Sequence, residues 1–318
     1  MLIKDLPLNA VGSIADSPTI HPFSILNTRS AEWQDRKRVW ANYGIKGELG
    51  RDATGAVGDL FAAFNSYGKG GRAEQTTSIF DPVLCELMYT WLVPLKGIIV
   101  DPFAGGSVRG VMAHILGRRY WGCDLSKRQL NENRKQAKIL KGKNLISNIP
   151  RWVYGDAHDK IPEAPLADFI FTCPPYADLE VYSDHPDDLS NMSHEDFSIM
   201  YKRILQLSCE RLKNNRFACV VISNIRNKEG NYLDLVGETI AGFKAGGLEY
   251  YNENILINPV GSLPIRIEKQ FNTSRKFGRC HQSILVFLKG DAKIATSEIL
   301  ESTGNSLKLG PRKTRNKI

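Results

Sequence analysis

The sequence predicts an α/β fold in which short strands alternate with helices, and three observations carry that prediction. Ile98-Ile99-Val100 is a short β-branched run that stops at Asp101-Pro102, passes through Ala104, Gly105 and Gly106, and resumes as the apolar helical stretch Val111–Leu116. Two further short runs, Tyr120–Leu125 and Arg151–Gly155, lead to the carboxylates Asp124 and Asp156. A fourth, Ala167–Thr172, runs straight into Cys173-Pro174-Pro175-Tyr176. Ligands of open α/β sheets bind in the crevice at the carboxyl ends of the strands, so these four turns are also the candidate functional positions.

Composition bounds the rest. With 318 residues the chain is long enough for one large domain with an extension. Forty-two Lys and Arg face thirty-four Asp and Glu, a net charge of +8 that suits a polyanionic partner without requiring one. The six cysteines include no C-x-x-C pair, so disulfide and metal frameworks are not expected and a reducing cytoplasm is the natural compartment. No apolar run is long enough to span a membrane, and the N-terminus carries no signal-peptide pattern.

Taken in order, residues 1–30 hold prolines at 7, 18 and 22 and read as an irregular arm. Ala31–Trp40 reads as a helix with Trp33 and Trp40 on one face, expected to pack, and with Arg36, Lys37 and Arg38 expected in solvent or against nucleic acid. Eight glycines between Gly44 and Gly71 mark a long connection or a lid, closing an extension over residues 1–75. Asp81-Pro82 begins a helix whose apolar positions recur through Leu92. The basic stretch Lys127–Lys141 reads as a helix with a wet face, capped by Ser126. Further helices are expected over Ser193–Lys213 and Tyr232–Lys244, and further strands over Phe217–Ile222, Leu248–Ile257 and His281–Leu288. Between the last two strands, Arg266, Lys269, Arg275, Lys276 and Arg279 alternate with Phe271 and Phe277, which suits a nucleic-acid backbone and an unstacked base, or equally a solvated hairpin. The central domain is expected over 76–290, and residues 291–318 as a basic, disordered tail.

Asp101-Pro102-Phe103-Ala104-Gly105-Gly106 resembles the loop by which class I methyltransferases hold S-adenosylmethionine, in particular the Asp-Pro-Phe-x-Gly-x-Gly form of DNA amino-methyltransferases, with Ser107 following adjacent rather than alternating glycines. Cys173-Pro174-Pro175-Tyr176 resembles the Asp/Asn/Ser-Pro-Pro-Tyr/Phe signature of the adenine-amino and cytosine-amino enzymes. The resemblance covers roughly residues 76–290. The segments Tyr176–Ser183 and Val260–Arg266 resemble, more loosely, phage and prophage DNA modification methylases.

The resemblance implies a Rossmann-like α/β fold with a seven-stranded mixed sheet and helices on both faces, S-adenosylmethionine as cofactor and an exocyclic amino group of a base in double-stranded DNA as substrate, flipped out of the helix. It places Asp101, Pro102, Phe103, Ala104, Gly105 and Gly106 around the cofactor, Asp124 and Leu125 at its ribose, Asp156 and Ala157 at its adenine, and Phe80 and Asp81, with Ser78 and Ile79, at its methionine end. Read alone, Asp124 would serve equally as a helix cap. Consecutive prolines withhold two amide donors and fix the neighbouring carbonyls, while Tyr176 offers a ring to stack on the base. Fixed acceptors on the amino hydrogens favour the pyramidal nitrogen that attacks a sulfonium methyl, without metal or covalent intermediate.

Cys173 departs from the signature, because a thiol accepts hydrogen bonds poorly; the Pro174 carbonyl is then the expected acceptor. Cys173 as a nucleophile, or as a buried strand-end thiol, stays open. Other readings are an RNA amino-methyltransferase and a nucleic-acid-binding protein on the same fold. A role in restriction-modification in a bacterial or phage-infected cell follows from the resemblance, while the target base and sequence do not.

Overall fold

The computed structural model describes residues 21–45, 80–175, 189, 192–227, 229–261 and 263–304. Its strands are β1 (Ile25–Asn27), β2 (Ile98–Asp101), β3 (Arg119–Asp124), β4 (Arg151–Tyr154), β5 (Ala167–Thr172), β6 (Leu212–Ile222), β7 (Glu249–Ile257) and β8 (His281–Lys289). They form one sheet in the order β1-β7-β8-β6-β5-β2-β3-β4. Strand β8 runs antiparallel to both its neighbours, and every other pairing is parallel. The sheet is therefore mixed and Rossmann-like, as the resemblance implies, with one strand more than expected.

Alternation along the strands sorts side chains to two faces. Ile99, Tyr120, Phe169, Phe171, Phe217, Cys219, Ile284 and Val286 join a core completed by helices α1 (Ala31–Asn42), α2 (Pro82–Leu92), α3 (Val108–Ile115), α4 (Lys127–Gly142) and α9 (Ala292–Ser302). Val100, Trp121, Cys123, Ile170, Ala218, Val220, Leu285 and Phe287 join a second core under α5 (Ala157–Lys160), α6 (His194–Arg211) and α7 (Leu235–Ala245). Two apolar layers on opposite faces are what near-continuous hydrophobic strands such as β5 require, and all six of its residues are buried.

The first helix packs as its tryptophans predict. Trp33 and Trp40 are buried, and Arg36, expected outside, is buried with them. Its guanidinium meets the buried Glu86 of α2 in a two-pronged pair at 2.8 and 2.7 Å, and Trp40 Nε1 donates to the same carboxylate at 2.8 Å. Arg36 also lies over the Trp40 ring, 4.8 Å from its centroid.

Several expectations are corrected. The arm of residues 1–30 contains β1, which extends the exposed edge of β7 in parallel register (Ile25↔Ile255, Asn27↔Ile257). Three residues carry too little periodicity to read as a strand; the free edge of β7 supplies the pairing, and the Thr28 hydroxyl locks it by donating to the Ile257 carbonyl at 2.7 Å. The stretch expected as a disordered tail from residue 291 begins with α9, capped by Asp291 and buried at Ala295 and Ile299, so the ordered domain runs past 290. Tyr232 does not open α7; it pairs across a β-bridge with Arg226, and Asp234 caps the helix instead. The basic stretch between β7 and β8 holds a helix, α8 (Leu263–Ser274), rather than a plain loop. Residues 46–79, with the glycine-rich stretch, and residues 305–318 lie outside the described part.

A half-buried histidine makes stability depend on pH. Burial pulls the pKa of His114, in the last turn of α3, from 6.5 down to about 4, against a hydrogen bond with the Asn148 backbone. The folded state then binds fewer protons than the unfolded chain below 6.5, so this contribution to stability is intact above that pH and is lost as pH falls through the window down to about 4. Thermal melts should therefore drop more steeply with acid for the wild type than for His114→Gln; parallel curves would show that another group governs the acid limb.

Candidate active site

The geometry begins at Asp101, the last residue of β2. Its carboxylate is fully buried and accepts four hydrogen bonds: from Arg109 Nε at 2.6 Å, Tyr120 OH at 2.7 Å, Thr172 Oγ1 at 2.7 Å and the Phe103 backbone N–H at 3.1 Å. An ionised carboxylate has about four lone-pair positions, and here internal donors take them all. Asp101, placed around the cofactor by the resemblance, anchors the loop from beneath. Arg109 completes the anchor by donating through Nη2 to the carbonyls of Phe103, at 2.6 Å, and Ala104, at 3.1 Å. Burial alone would lower the Arg109 pKa, but the adjoining Asp101 carboxylate outweighs it and the net shift is upward, so this cation is permanent. Its guanidinium also lies 4.6 Å from the centroid of the Phe80 ring.

Beyond the anchor, the loop alternates buried and accessible residues: Pro102 and Ala104 are buried, whereas Phe103, Gly105 and Gly106 are half-buried. Gly105 has φ +48, and among the described residues a Cβ there would meet only Arg109 Nη2, at the ordinary contact distance of 3.9 Å. Its N–H donates to Asp124 Oδ2 at 2.8 Å, and its carbonyl accepts from Asn133 Nδ2 at 2.7 Å. Below it, Gly122 permits β3 to approach the loop, since a Cβ there would come within 2.9 Å of the Ala104 Cβ.

Asp124, at the end of β3, is half-buried and receives one backbone N–H on each oxygen, from Gly105 and from Ser126, both at 2.8 Å. Burial raises its pKa, partly offset by these two bonds. Among the described residues these are its two hydrogen bonds, one per oxygen, a pattern that suits two adjacent hydroxyls as further partners. Asp156, half-buried after β4, caps α5 by accepting from the His158 N–H at 2.6 Å, above the buried Ala157. The three strand-end carboxylates converge: the Cys123 thiol is raised well above its usual pKa first by burial and then by Asp101, Asp124 and Asp156.

The proline corner stands next to this loop. Strand β5 pairs with β2 (Ile99↔Phe169, Val100↔Ile170), and the Thr172 hydroxyl bonds Asp101 just before the chain turns at Cys173. Pro174 is buried, while Cys173 and Pro175 are half-buried; Cys173 is near enough to Arg109 and Tyr201 for a charge on it to raise the pKa of both. Tyr201 from α6 lies 6.1 Å from Phe103 and stacks on Phe197 at 5.5 Å, so two buried rings back Phe103 from within the core. Phe80 stands edge-on to Phe171 at 5.3 Å. Asp81 is held elsewhere, capping α2 through the Val83 N–H at 2.9 Å and binding Trp33 Nε1 at 3.2 Å and Lys37 Nζ at 3.1 Å. Tyr176, Ser78 and Ile79 lie outside the described residues.

The structure thus gathers Phe80, Phe103, Gly105, Gly106, Asp124, Leu125, Asp156, Cys173 and Pro175 as accessible or half-buried groups along the strand ends, with Pro102, Ala104, Ala157 and Pro174 beneath them. Sequence reasoning missed four supports: Arg109, Tyr120 and Thr172 around Asp101, and Asn133 on α4. The last had a signal, since Gln129, Asn133 and Gln136 interrupt the basic helix at helical spacing, and all three are buried. Of the expected basic residues, Lys269, Arg275, Lys276 and Arg279 lie between β7 and β8, on and after α8; the side chain of Arg266 is outside the described part. Among the described residues, no group of three or more His, Cys, Asp or Glu is placed to hold a metal ion, and no helix is long and apolar enough to cross a membrane.

No family model matches the chain, and no curated protein matches it. Among solved structures it is similar to TrmN from Thermus thermophilus, with 16% identity and a TM-score of 0.44 over 66% of this chain and 49% of that one, so it spans about half of TrmN's length. It is similar to a precorrin-6y C5,15-methyltransferase from Geobacter metallireducens GS-15, with 13% identity and a TM-score of 0.43 over 68% of this chain and 91% of that one. It is also similar to a TehB-like SAM-dependent methyltransferase from Corynebacterium glutamicum, with 14% identity and a TM-score of 0.41 over 72% of this chain and 95% of that one. None of these likenesses bears on the substrate.

Proposed function

We propose that the protein is an S-adenosylmethionine-dependent methyltransferase that modifies an exocyclic amino group, N4 of cytosine or N6 of adenine, of a DNA base turned out of the helix. The observation that carries this reading is the Thr172–Asp101 hydrogen bond, which ties the Pro-Pro corner to the glycine loop across adjacent parallel strands. A cofactor loop and a set of rigid acceptors fixed side by side are what transfer between two bound molecules needs.

The residues present fit the cofactor. Among the described residues a Cβ on Gly105 would meet only Arg109 Nη2, Asp124 accepts one backbone N–H on each oxygen, Leu125 follows it directly, and Asp156 stands at the neighbouring strand end. When bound, the cofactor supplies an electrophilic methyl group on a sulfonium. The chain's own work is positioning: the Pro174 carbonyl accepts an amino hydrogen, Phe103 and Pro175 flank the reacting atoms, and Tyr176 stacks on the ring. Cys173 is left without an acid–base task, because the amino proton can pass to solvent once the methyl group is attached. The net charge of +8 supports a polyanionic substrate.

Removing Asp124 isolates the cofactor half of this reading. Asp124→Ala should weaken S-adenosylhomocysteine binding roughly 10- to 100-fold in calorimetry, since hydrogen bonds to a charged acceptor are worth about 1.5–3 kcal/mol. Wild-type affinity in this variant would remove Asp124 from the site. The substrate half is tested by incubating methyl-labelled cofactor with DNA and with RNA and identifying the labelled nucleoside by mass spectrometry. N4-methylcytosine or N6-methyladenine from DNA is the expected product; label in RNA alone would assign the other polymer, and label in neither would contradict the reading.

A further inference from the structure

Away from the glycine loop, two segments rise from the same edge of the sheet. The β6–α7 connection leaves β6 at Ile222, and the segment after α8 enters β8 at His281; the pairings Ile222↔Ser283 and Ile257↔His281 put both at the carboxyl ends of β6 and β7. The first segment is a small hairpin in which Arg226 and Tyr232 form a bridge, the guanidinium lying 4.0 Å from the centroid of the tyrosine ring and donating to the Gly230 carbonyl at 2.7 Å. In the second, Arg275 lies 5.0 Å from the centroid of Phe271, and Phe271 and Phe277 are 5.7 Å apart.

Lys276 joins the two. Its side chain covers Gly230 so closely that a Cβ on that glycine would come within 2.5 Å of Lys276 Cε. The joined surface keeps Phe277 76% exposed, Tyr232 45% and Phe271 37%. Large aromatic rings left in water beside cations are not explained by packing. Glu229, Asp234 and Glu268 also stand in these segments, against Arg226, Lys269, Arg275, Lys276 and Arg279, so the balance of the described side chains is positive.

We propose that this joined surface binds an unpaired stretch of nucleic acid, with bases stacking on Tyr232, Phe271 and Phe277 and phosphates meeting Arg226, Arg275 and Lys276. Exposed rings choose between substrates: a duplex hides its base faces, whereas single strands offer them, and arginine-backed aromatics add cation–π attraction. This deepens the nucleic-acid reading above and rests on it. It adds that the strand is held open beside the target, by residues at the end of β6 and before β8, two or more strands along the sheet from the glycine loop.

The test is fluorescence anisotropy with labelled oligothymidylate and a duplex of equal length, on the full chain at fixed salt with S-adenosylhomocysteine present. The wild type should prefer the single strand, and Tyr232→Ala/Phe277→Ala should bind it at least about tenfold more weakly, as expected for losing two stacking rings. Cofactor affinity, measured alongside, should not change. Equal affinity of variant and wild type, tighter binding of the duplex, or no oligonucleotide binding by the wild type, as a protein-docking surface would give, each overturns the proposal. Methyl transfer by the wild type distinguishes the two readings: transfer with unaltered variant binding sinks the platform alone, whereas ring-dependent binding without transfer to any nucleic acid sinks the methylation reading alone.

Discussion

Asp101→Ala is expected to lower the stability of the fold by about 3–5 kcal/mol, the range found when one member of a buried ion pair is removed. Arg109 is 5% exposed; without Asp101 its charge would be buried with the Phe103 and Ala104 carbonyls and the Phe80 ring face left to meet it. The same substitution leaves the hydroxyls of Tyr120 and Thr172 without their acceptor. Because the carboxylate holds β2, β3 and β5 to one loop, S-adenosylhomocysteine binding should vanish as well. Urea unfolding followed by circular dichroism, with calorimetry on the folded fraction, measures both. A stable variant that still binds the cofactor would show that the loop is held by other contacts. Asp101→Asn, which keeps one carbonyl acceptor but not the charge, should fall between the two.

Glu86→Ala is expected to have an effect of similar size by the same physics, in a different place. Glu86 is 1% exposed, and it faces Arg36 and Trp40 across the α1–α2 interface. Its loss would strand the Arg36 guanidinium in the core, again at a cost of about 3–5 kcal/mol. The hydrophobic contacts of Trp33 and Trp40 cannot compensate while that charge lies between them. Limited proteolysis should then cut near residue 45 well before the sheet opens, and the melting temperature should fall. If proteolysis and melting match the wild type, the extension is docked by its tryptophans alone. Replacing Arg36 and Glu86 together with Met and Leu should be far milder, since a buried pair exchanged for apolar residues of similar volume is often neutral or stabilising.

The sheet was legible because its strands are short apolar runs stopped by Asp-Pro, by glycine and by prolines, and those stops are local chemistry. Asp124, Asp156 and the Pro174 corner were legible for the same reason, each ending a readable strand. What escaped were features made by distant chain. Strand β1 exists because β7 has an open edge, which three residues around Leu26 cannot announce. The role of Asp101 as a buried anchor could not be read, because Arg109, Tyr120 and Thr172 are 8, 19 and 71 residues away and meet only in the fold. Arg36 was misplaced because a guanidinium among basic neighbours reads as solvated until Glu86, 50 residues on, is brought beneath it.

The central claim is spatial: the glycine loop after β2 and the Pro-Pro corner after β5 line one crevice, so that a bound methyl donor faces the acceptor carbonyl. A crystal structure of the protein with S-adenosylhomocysteine tests it most directly. The expected result places the ribose hydroxyls on Asp124 and the sulfur between Phe103 and the Pro174 carbonyl. A cofactor bound away from Asp124, or with its sulfur turned from the proline corner, would contradict the account.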